Sequence, residues 1–231
     1  MRPRTLPARL APLGLALPLA LGLAACHPHV SGNGVYLEAD CGVRSFNAVK
    51  LDLGIEATIE VHPLAQGVTC VLSGDANLIP NIHLGAPGGV LQVTDAPHFD
   101  RILPLKLQIT TPALSRVEAS DAGAADGDST DVIVSSAATD VLAVVGHDRS
   151  VITVAGPGAP GGTESIELSE SAYYFGFDYP VTSATVALSG HGRAEVQATG
   201  QVSGSAEGSG AVLVEGGGTC AVTPAAACTN K

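Results

Sequence analysis

Side chains able to do chemistry are sparse in this sequence and fall into four groups. Asp121, Asp126, Asp128 and Asp131 crowd one Gly- and Ser-containing loop. Clustered oxygen ligands bind calcium, but the spacing lacks the D-x-[DN]-x-[DN]-G order. A solvated acidic turn is expected, and no metal is assigned. His147 and His191 occupy one column of an internal repeat, with Ser171 between them. Two strand spacings would hold them about 10 Å apart, too far to share an ion without a third ligand. They are read as exposed turn histidines. Cys41, Cys70, Cys220 and Cys228 form an even set, as structural disulfides require. Three pairings are open. The short loop from Cys220 to Cys228 favours that pair and leaves Cys41 to tie to Cys70. Finally, five of the eight aromatic residues lie in Tyr173-Tyr174-Phe175-Gly176-Phe177-Asp178-Tyr179. Strand alternation puts Tyr173, Phe175, Phe177 and Tyr179 on one face. That face is either core filling or an aromatic strip for a partner. The expected split has Phe175 and Phe177 packed, with the hydroxyl of Tyr173 or Tyr174 in solvent.

Catalytic signatures are missing. The chain has no G-x-S-x-G, H-E-x-x-H or P-loop, and no G-x-G-x-x-G that opens a helix, Gly156-Pro157-Gly158-Ala159-Pro160-Gly161 being followed by further strand pattern. No CxxC is present, which argues against zinc-ribbon or thioredoxin chemistry. Beyond residue 25 the basic residues are Lys50, Lys106, Lys231 and five scattered arginines. An enzyme acting on acidic polysaccharide would want them clustered beside acids. The expectation is a protein without catalysis and without a cofactor.

The elements that carry these groups begin with a leader. Residues 1–10 hold Arg2, Arg4 and Arg9 and no acid, followed by thirteen apolar residues, APLGLALPLALGL. This is the layout of a secretory signal over residues 1–25, and it is too short to span a bilayer comfortably. The remaining 206 residues carry all 22 acids and eight basic residues, a net charge of −14. Such a charge excludes nucleic acid and an anionic bilayer as electrostatic partners.

Leu23-Ala24-Ala25-Cys26 resembles the lipobox of bacterial lipoproteins. The resemblance implies that Cys26 is lipidated and becomes the first mature residue. With His27 rather than Asp next, it also implies sorting to the outer membrane. Residues 26–44 are expected to be a lipidated tether, with structure beginning near Val35 and Tyr36.

From Phe46 onward the apolar residues alternate. Val49, Leu51 and Leu53 are followed by Ile55, Ala57, Ile59 and Val61, and later by Leu105, Leu107 and Ile109. Period two predicts strands, and no window carries a capped helical stripe. Repeats then appear around Ala119, Val144, Leu168, Leu188 and Ala206, at steps of 25, 24, 20 and 18 residues. Units this short cannot bury their own face and must stack. An all-β parallel β-solenoid with irregular rungs is expected over residues 45–215, a β-sandwich being the alternative. Residues 216–231 read as a Cys-containing tail.

Phe46-Asn47-Ala48-Val49-Lys50-Leu51-Asp52-Leu53-Gly54, Gly74-Asp75-Ala76-Asn77-Leu78 and Gly89-Val90-Leu91-Gln92-Val93 together resemble the head GIN domain family of auto-transporter adhesins. Thr111-Pro112-Ala113-Leu114-Ser115-Arg116-Val117-Glu118 and Glu207-Gly208-Ser209-Gly210 extend the resemblance. Ser120-Asp121-Ala122-Gly123 stands where the family usually has Gly-Ser-Gly. The resemblance implies a secreted or envelope β-solenoid and supplies no catalytic residues. The function expected is an outer-membrane-anchored, adhesin-like binding module. Its partners would be the membrane, through the lipid, and a glycan or envelope protein. A purely structural envelope protein and a polysaccharide-active enzyme are the competing readings.

Overall fold

Apolar alternation becomes strand wherever one face of a strand can be covered. In the computed structural model this happens 21 times among the described residues, which are 30–95, 99–121, 129–224 and 227–231. The leader, Cys26, Asp126 and Asp128 lie outside them. The N-terminal strands are β1 (Val30–Ser31), β2 (Tyr36–Asp40), β3 (Ala48–Leu51), β4 (Glu56–Val61), β5 (Thr69–Asp75), β6 (His83–Gly85), β7 (Val90–Asp95) and β8 (Phe99–Asp100). Next come β9 (Lys106–Thr111), β10 (Arg116–Ala119), β11 (Asp131–Ser135), β12 (Val141–Gly146), β13 (Val151–Ala155), β14 (Thr163–Leu168) and β15 (Tyr173–Val181). The last are β16 (Ser183–Leu188), β17 (Arg193–Ala198), β18 (Gln201–Ala206), β19 (Ala211–Glu215), β20 (Thr219–Thr223) and β21 (Cys228–Asn230). Two short 3-10 turns, Ile79–Asn81 and Pro87–Gly89, are the helical elements of the described residues.

The fold is all-β. Nine strands form one sheet in the order β20-β18-β16-β14-β12-β10-β3-β7-β6, and ten form the other, β2-β5-β9-β4-β11-β13-β15-β17-β19-β21. From β10 onward each successive pair of strands adds one strand to each sheet, always in parallel with the pair before. Both sheets are open, as the expected solenoid would have them. Antiparallel pairing is confined to β2, β5 and β6, which cover the N-terminal end.

The core lies between the two inner faces. Inward residues stack in columns because parallel registers place like positions side by side. One column runs Leu91, Val49, Val117, Val144, Ile166, Val186, Gly204 and Val222. Its counterpart in the other sheet runs Leu107, Ala57, Val132, Ile152, Tyr174, Ala194, Val212 and Cys228.

The observed register corrects the repeat alignment. Ala119 lies opposite Gly146, and Gly146 opposite Leu168, two residues away from the expected partners. Leu168, Leu188 and Ala206 align as expected. A slip of two leaves every side chain on its original face, so alternation alone does not detect it.

From Val30 onward the segment expected as a tether carries strands. β1 pairs with β8, and the Gly34 N–H donates to Asp75 Oδ1 at 2.7 Å. Asp75 also accepts the N–H groups of Ile102 and Leu103, both at 3.0 Å. Burial alone would raise that carboxyl, but these bonds hold it below its ordinary range. Likewise, β20 and β21 lie in the segment expected as a tail and extend both sheets.

Cys41 is bonded to Cys70 and Cys220 to Cys228, with Cα separations of 5.4 and 6.2 Å. The first closes a span of 29 residues and staples β5 to the chain leaving β2. Cys70→Ala is expected to lower stability by about 2–4 kcal/mol in urea unfolding. An unchanged unfolding midpoint would show that the covering strands hold without the staple.

Candidate functional site

The aromatic cluster forms β15, and its neighbours set its facing. Tyr174 pairs with Ile152 and Ala194, both inward, so Tyr174 points inward as well and is fully buried. Tyr173 is 38% exposed. Phe175 and Phe177 are half-buried on the outer side. The register then shifts: Thr153 pairs with Phe175 but Ala155 with Asp178, and Gly176 pairs with Val196 but Pro180 with Gln197. Extra residues in one strand reverse its alternation, and Tyr179 is buried. The expected split holds for Tyr173, the exposed tyrosine, and is corrected for Phe175 and Phe177, which lie outward with it. Tyr173, Phe175 and Phe177 are the outward set, while Tyr174 and Tyr179 fill the core. The register of the flanking strands and the bulge decide this, not hydropathy.

The outward set forms a flat platform. The rings of Tyr173 and Phe175 stack with centroids 6.3 Å apart and planes 9° from parallel. Along the same outer rows lie Ile133, which is 50% exposed, Val151, Thr153 and Leu213. Charged pairs border the apolar band. Arg193 meets Glu195 at 2.6 Å, and Lys231 meets Glu215 at 2.6 Å. Lys231 Nζ also sits 4.9 Å from the Phe177 ring centroid, in range for a cation–π contact.

Beneath the platform is a polar group that sequence reasoning missed. Glu164 occupies an inward position of β14, in a column with Leu142, Ala184 and Val202, and is 3% exposed. Tyr174 donates its hydroxyl to Glu164 Oε1, and Oε2 has no partner. Burial pushes the Glu164 carboxyl up to about 8, against the pull of the Tyr174 hydrogen bond. The Tyr174 hydroxyl is pushed well above its ordinary value by burial and by Glu164. Tyr179 donates to the Thr139 carbonyl at 3.0 Å, and burial raises it to about 12. Gly176 makes room for this arrangement, because a Cβ there would collide with the Tyr174 hydroxyl. The signal was legible in principle: Glu164 stands in phase with Ile166 and Leu168.

The remaining candidates are structural in their contacts. Asp121 Oδ1 accepts the Thr130 N–H at 2.7 Å, and Oδ2 lies 3.5 Å from Arg149 Nε. Asp131 accepts from Ser129 Oγ at 3.1 Å. No group of three potential metal ligands converges among the described residues. His147 Nδ1 and Ser169 Oγ are 2.8 Å apart, and His191 Nδ1 and Ser209 Oγ 2.5 Å. Because Gly146 aligns with Leu168 and Leu188, His191 lies two positions beyond the column of His147. The two histidines therefore do not share a column. A polar cleft of about 310 Å³ includes Glu56, Arg101 and Asp131. Glu56 is paired with Lys106 at 3.0 Å, and Arg101 donates to the Gly54 carbonyl at 2.6 Å.

The profile of the family described as "Putative auto-transporter adhesin, head GIN domain" matches residues 45–218. The chain belongs to the head GIN domain family. Its fold recurs in solved structures of low sequence identity. One is described as a "putative adhesin" from Bacteroides fragilis NCTC 9343, with TM-score 0.58 and 15% identity, covering 87% of this chain and 96% of that one. Another is a "putative lipid binding protein" from Parabacteroides distasonis ATCC 8503, with TM-score 0.53 and 13% identity, covering 88% and 97%. At these identities the likeness is one of fold. No curated protein matches the chain. Within this head GIN domain the platform on β15 is the candidate site.

Proposed function

We propose that this head GIN domain is the binding module of a lipoprotein anchored at Cys26 in the outer membrane, and that it works without catalysis. Its two sheets form the sides of a parallel β-solenoid, whose flat outer face presents Tyr173, Phe175 and Phe177. The observation that carries the reading is the stacked, outward pair Tyr173 and Phe175 on a surface that otherwise holds few aromatics. A glycan is the ligand proposed. Sugar rings present apolar C–H faces that settle on flat aromatic rings, and the bordering Arg193 and Glu195 supply donors and acceptors for hydroxyls. Family membership supports an envelope-facing, adhesin-like role.

The test is a glycan array and an envelope-extract pull-down with the parent, Tyr173→Ala and Phe175→Ala. Binding is expected to fall at least about tenfold in each variant, since aromatic anchors dominate interfaces. Melting temperatures should move little, because both rings are partly exposed. Retained glycan binding in both variants would remove the platform from the function. Capture of an envelope protein with no glycan signal would replace the ligand class.

A further inference from the structure

The N-terminal end of the two sheets carries an apolar surface of its own. A pocket of about 350 Å³ opens between the edge strands β2 and β6, lined by Leu37, Ala39, Leu72, Ile79, Ile82 and Leu84. Near the chain entry Val35 is 57% exposed, Tyr36 60% and Ile102 66%, the last at the mouth of the polar cleft of Glu56, Arg101 and Asp131. Val35 continues the face of Leu37 and Ala39 by strand alternation. Ile102 lies against Gly34, within ordinary van der Waals distance of where a Cβ would sit. These side chains therefore crowd the point where the chain enters the fold.

Covalent reach decides what can cover this surface. Three residues separate Cys26 from Val30, a span of at most about 14 Å. Val30 is held by β8, and Gly34 is held by Asp75, so the entry point cannot swing away from the end of the sheets. A lipid on Cys26 would place the bilayer surface within that reach of Val30, where the chain enters the fold. The net charge of −14 for the mature chain opposes attraction to anionic lipid, so contact must come from apolar insertion.

We infer that the N-terminal end of the sheets docks on the lipid surface, with Val35 and Ile102 entering the headgroup region and the Leu37-lined pocket taking an acyl chain. The inference rests on lipidation of Cys26. It makes the domain a rigid post standing on the membrane, with the β15 platform several strands away from the bilayer. Apolar side chains of this size insert about 5–10 Å into the interface.

The chain contains no Trp, so single replacements are clean fluorescent probes. The lipidated full chain carrying Val35→Trp, or Ala221→Trp at the far end, is reconstituted into dioleoylphosphatidylcholine vesicles containing lipids brominated on the acyl chain. Val35→Trp emission is expected to fall about twofold while Ala221→Trp emission holds, since bromine quenches only at contact depth. A further variant, Val35→Trp with Ile102→Asp, should regain part of the emission. Vesicle flotation of the parent and of Cys26→Ser reads the anchor separately. Flotation of the parent alone, with Val35→Trp unquenched or quenched no more than Ala221→Trp, overturns the docking and leaves the anchor standing. A parent chain that fails to float overturns both.

Discussion

Tyr174→Ala is expected to destabilise the domain by about 3–5 kcal/mol, the usual cost of removing a large buried ring. Tyr174 has no exposed surface and spans the core to Glu164. Inward neighbours in the adjoining strands, Ala184 and Ala194, are small. The large ring and these small residues fill the space jointly on the C-terminal side, so the rung that follows has little side chain with which to close the hole, while Leu142 and Ile152 flank the other side. Tyr174→Phe separates the hydroxyl from the ring. It should cost about 1–3 kcal/mol, because Glu164 then loses its donor inside the core. Phe177→Ala, on the outer side, should cost less than about 1 kcal/mol. Urea unfolding of the three variants checks the order. Phe177→Ala unfolding at lower urea than Tyr174→Ala would invert the facing described for β15.

The stability of the domain should fall as pH rises through the neutral range, and Glu164 is the cause. Its carboxyl has an ordinary value of 4.5 and is raised by burial to about 8 in the fold. Below the lower value both folded and unfolded chains hold the proton, and pH has no effect through this group. Between the two values only the unfolded chain gives it up, so unfolding is favoured by up to about 1.4 kcal/mol per pH unit. Above about 8 the folded form ionises as well and the loss stops growing. Asp75, Asp148 and Glu118 are held below their ordinary values, and their contributions are lost only in more acid solution. Glu164→Gln should therefore flatten the decline between pH 5 and 8, measured as the difference from the parent. A variant that keeps the parent's slope would show that Glu164 is already ionised in the fold.

Both results bear on what the sequence made legible. Alternation through Val49, Leu51, Ile59 and Leu107 was enough to give an all-β chain, because each of these residues has one face to bury. Cysteine count and loop length led to the two disulfides seen. The aromatic strand was legible as a special place but not in its facing. Tyr173 through Tyr179 alternates only as far as Phe177, and the shift against β17 is a property of the pair, not of one strand. Glu164 was passed over for a different reason: its phase with Ile166 and Leu168 points it inward, but a carboxylate at the head of Thr163–Leu168 breaks the apolar pattern that marks a core position. The two-residue slip near Gly146 has the same origin, since alternation carries no record of position along the strand.

Order along the chain and order in space part company at one point. β3 and β4 lie between β7 and β9 on one side and β10 and β11 on the other. Asn47 accepts from Ser115, 68 residues later, whereas the last turns join positions only 18 to 22 residues apart. A chain made N-terminus first thus has its earliest stacked strands long before either covering layer exists. Closing that long loop is slower than closing the short ones. Assembly is best started from the regular C-terminal turns and propagated back toward the N-terminal end, so β3 and β4 are the last to be enclosed. Until then both present open edges, and mispairing with another chain is confined to that interval.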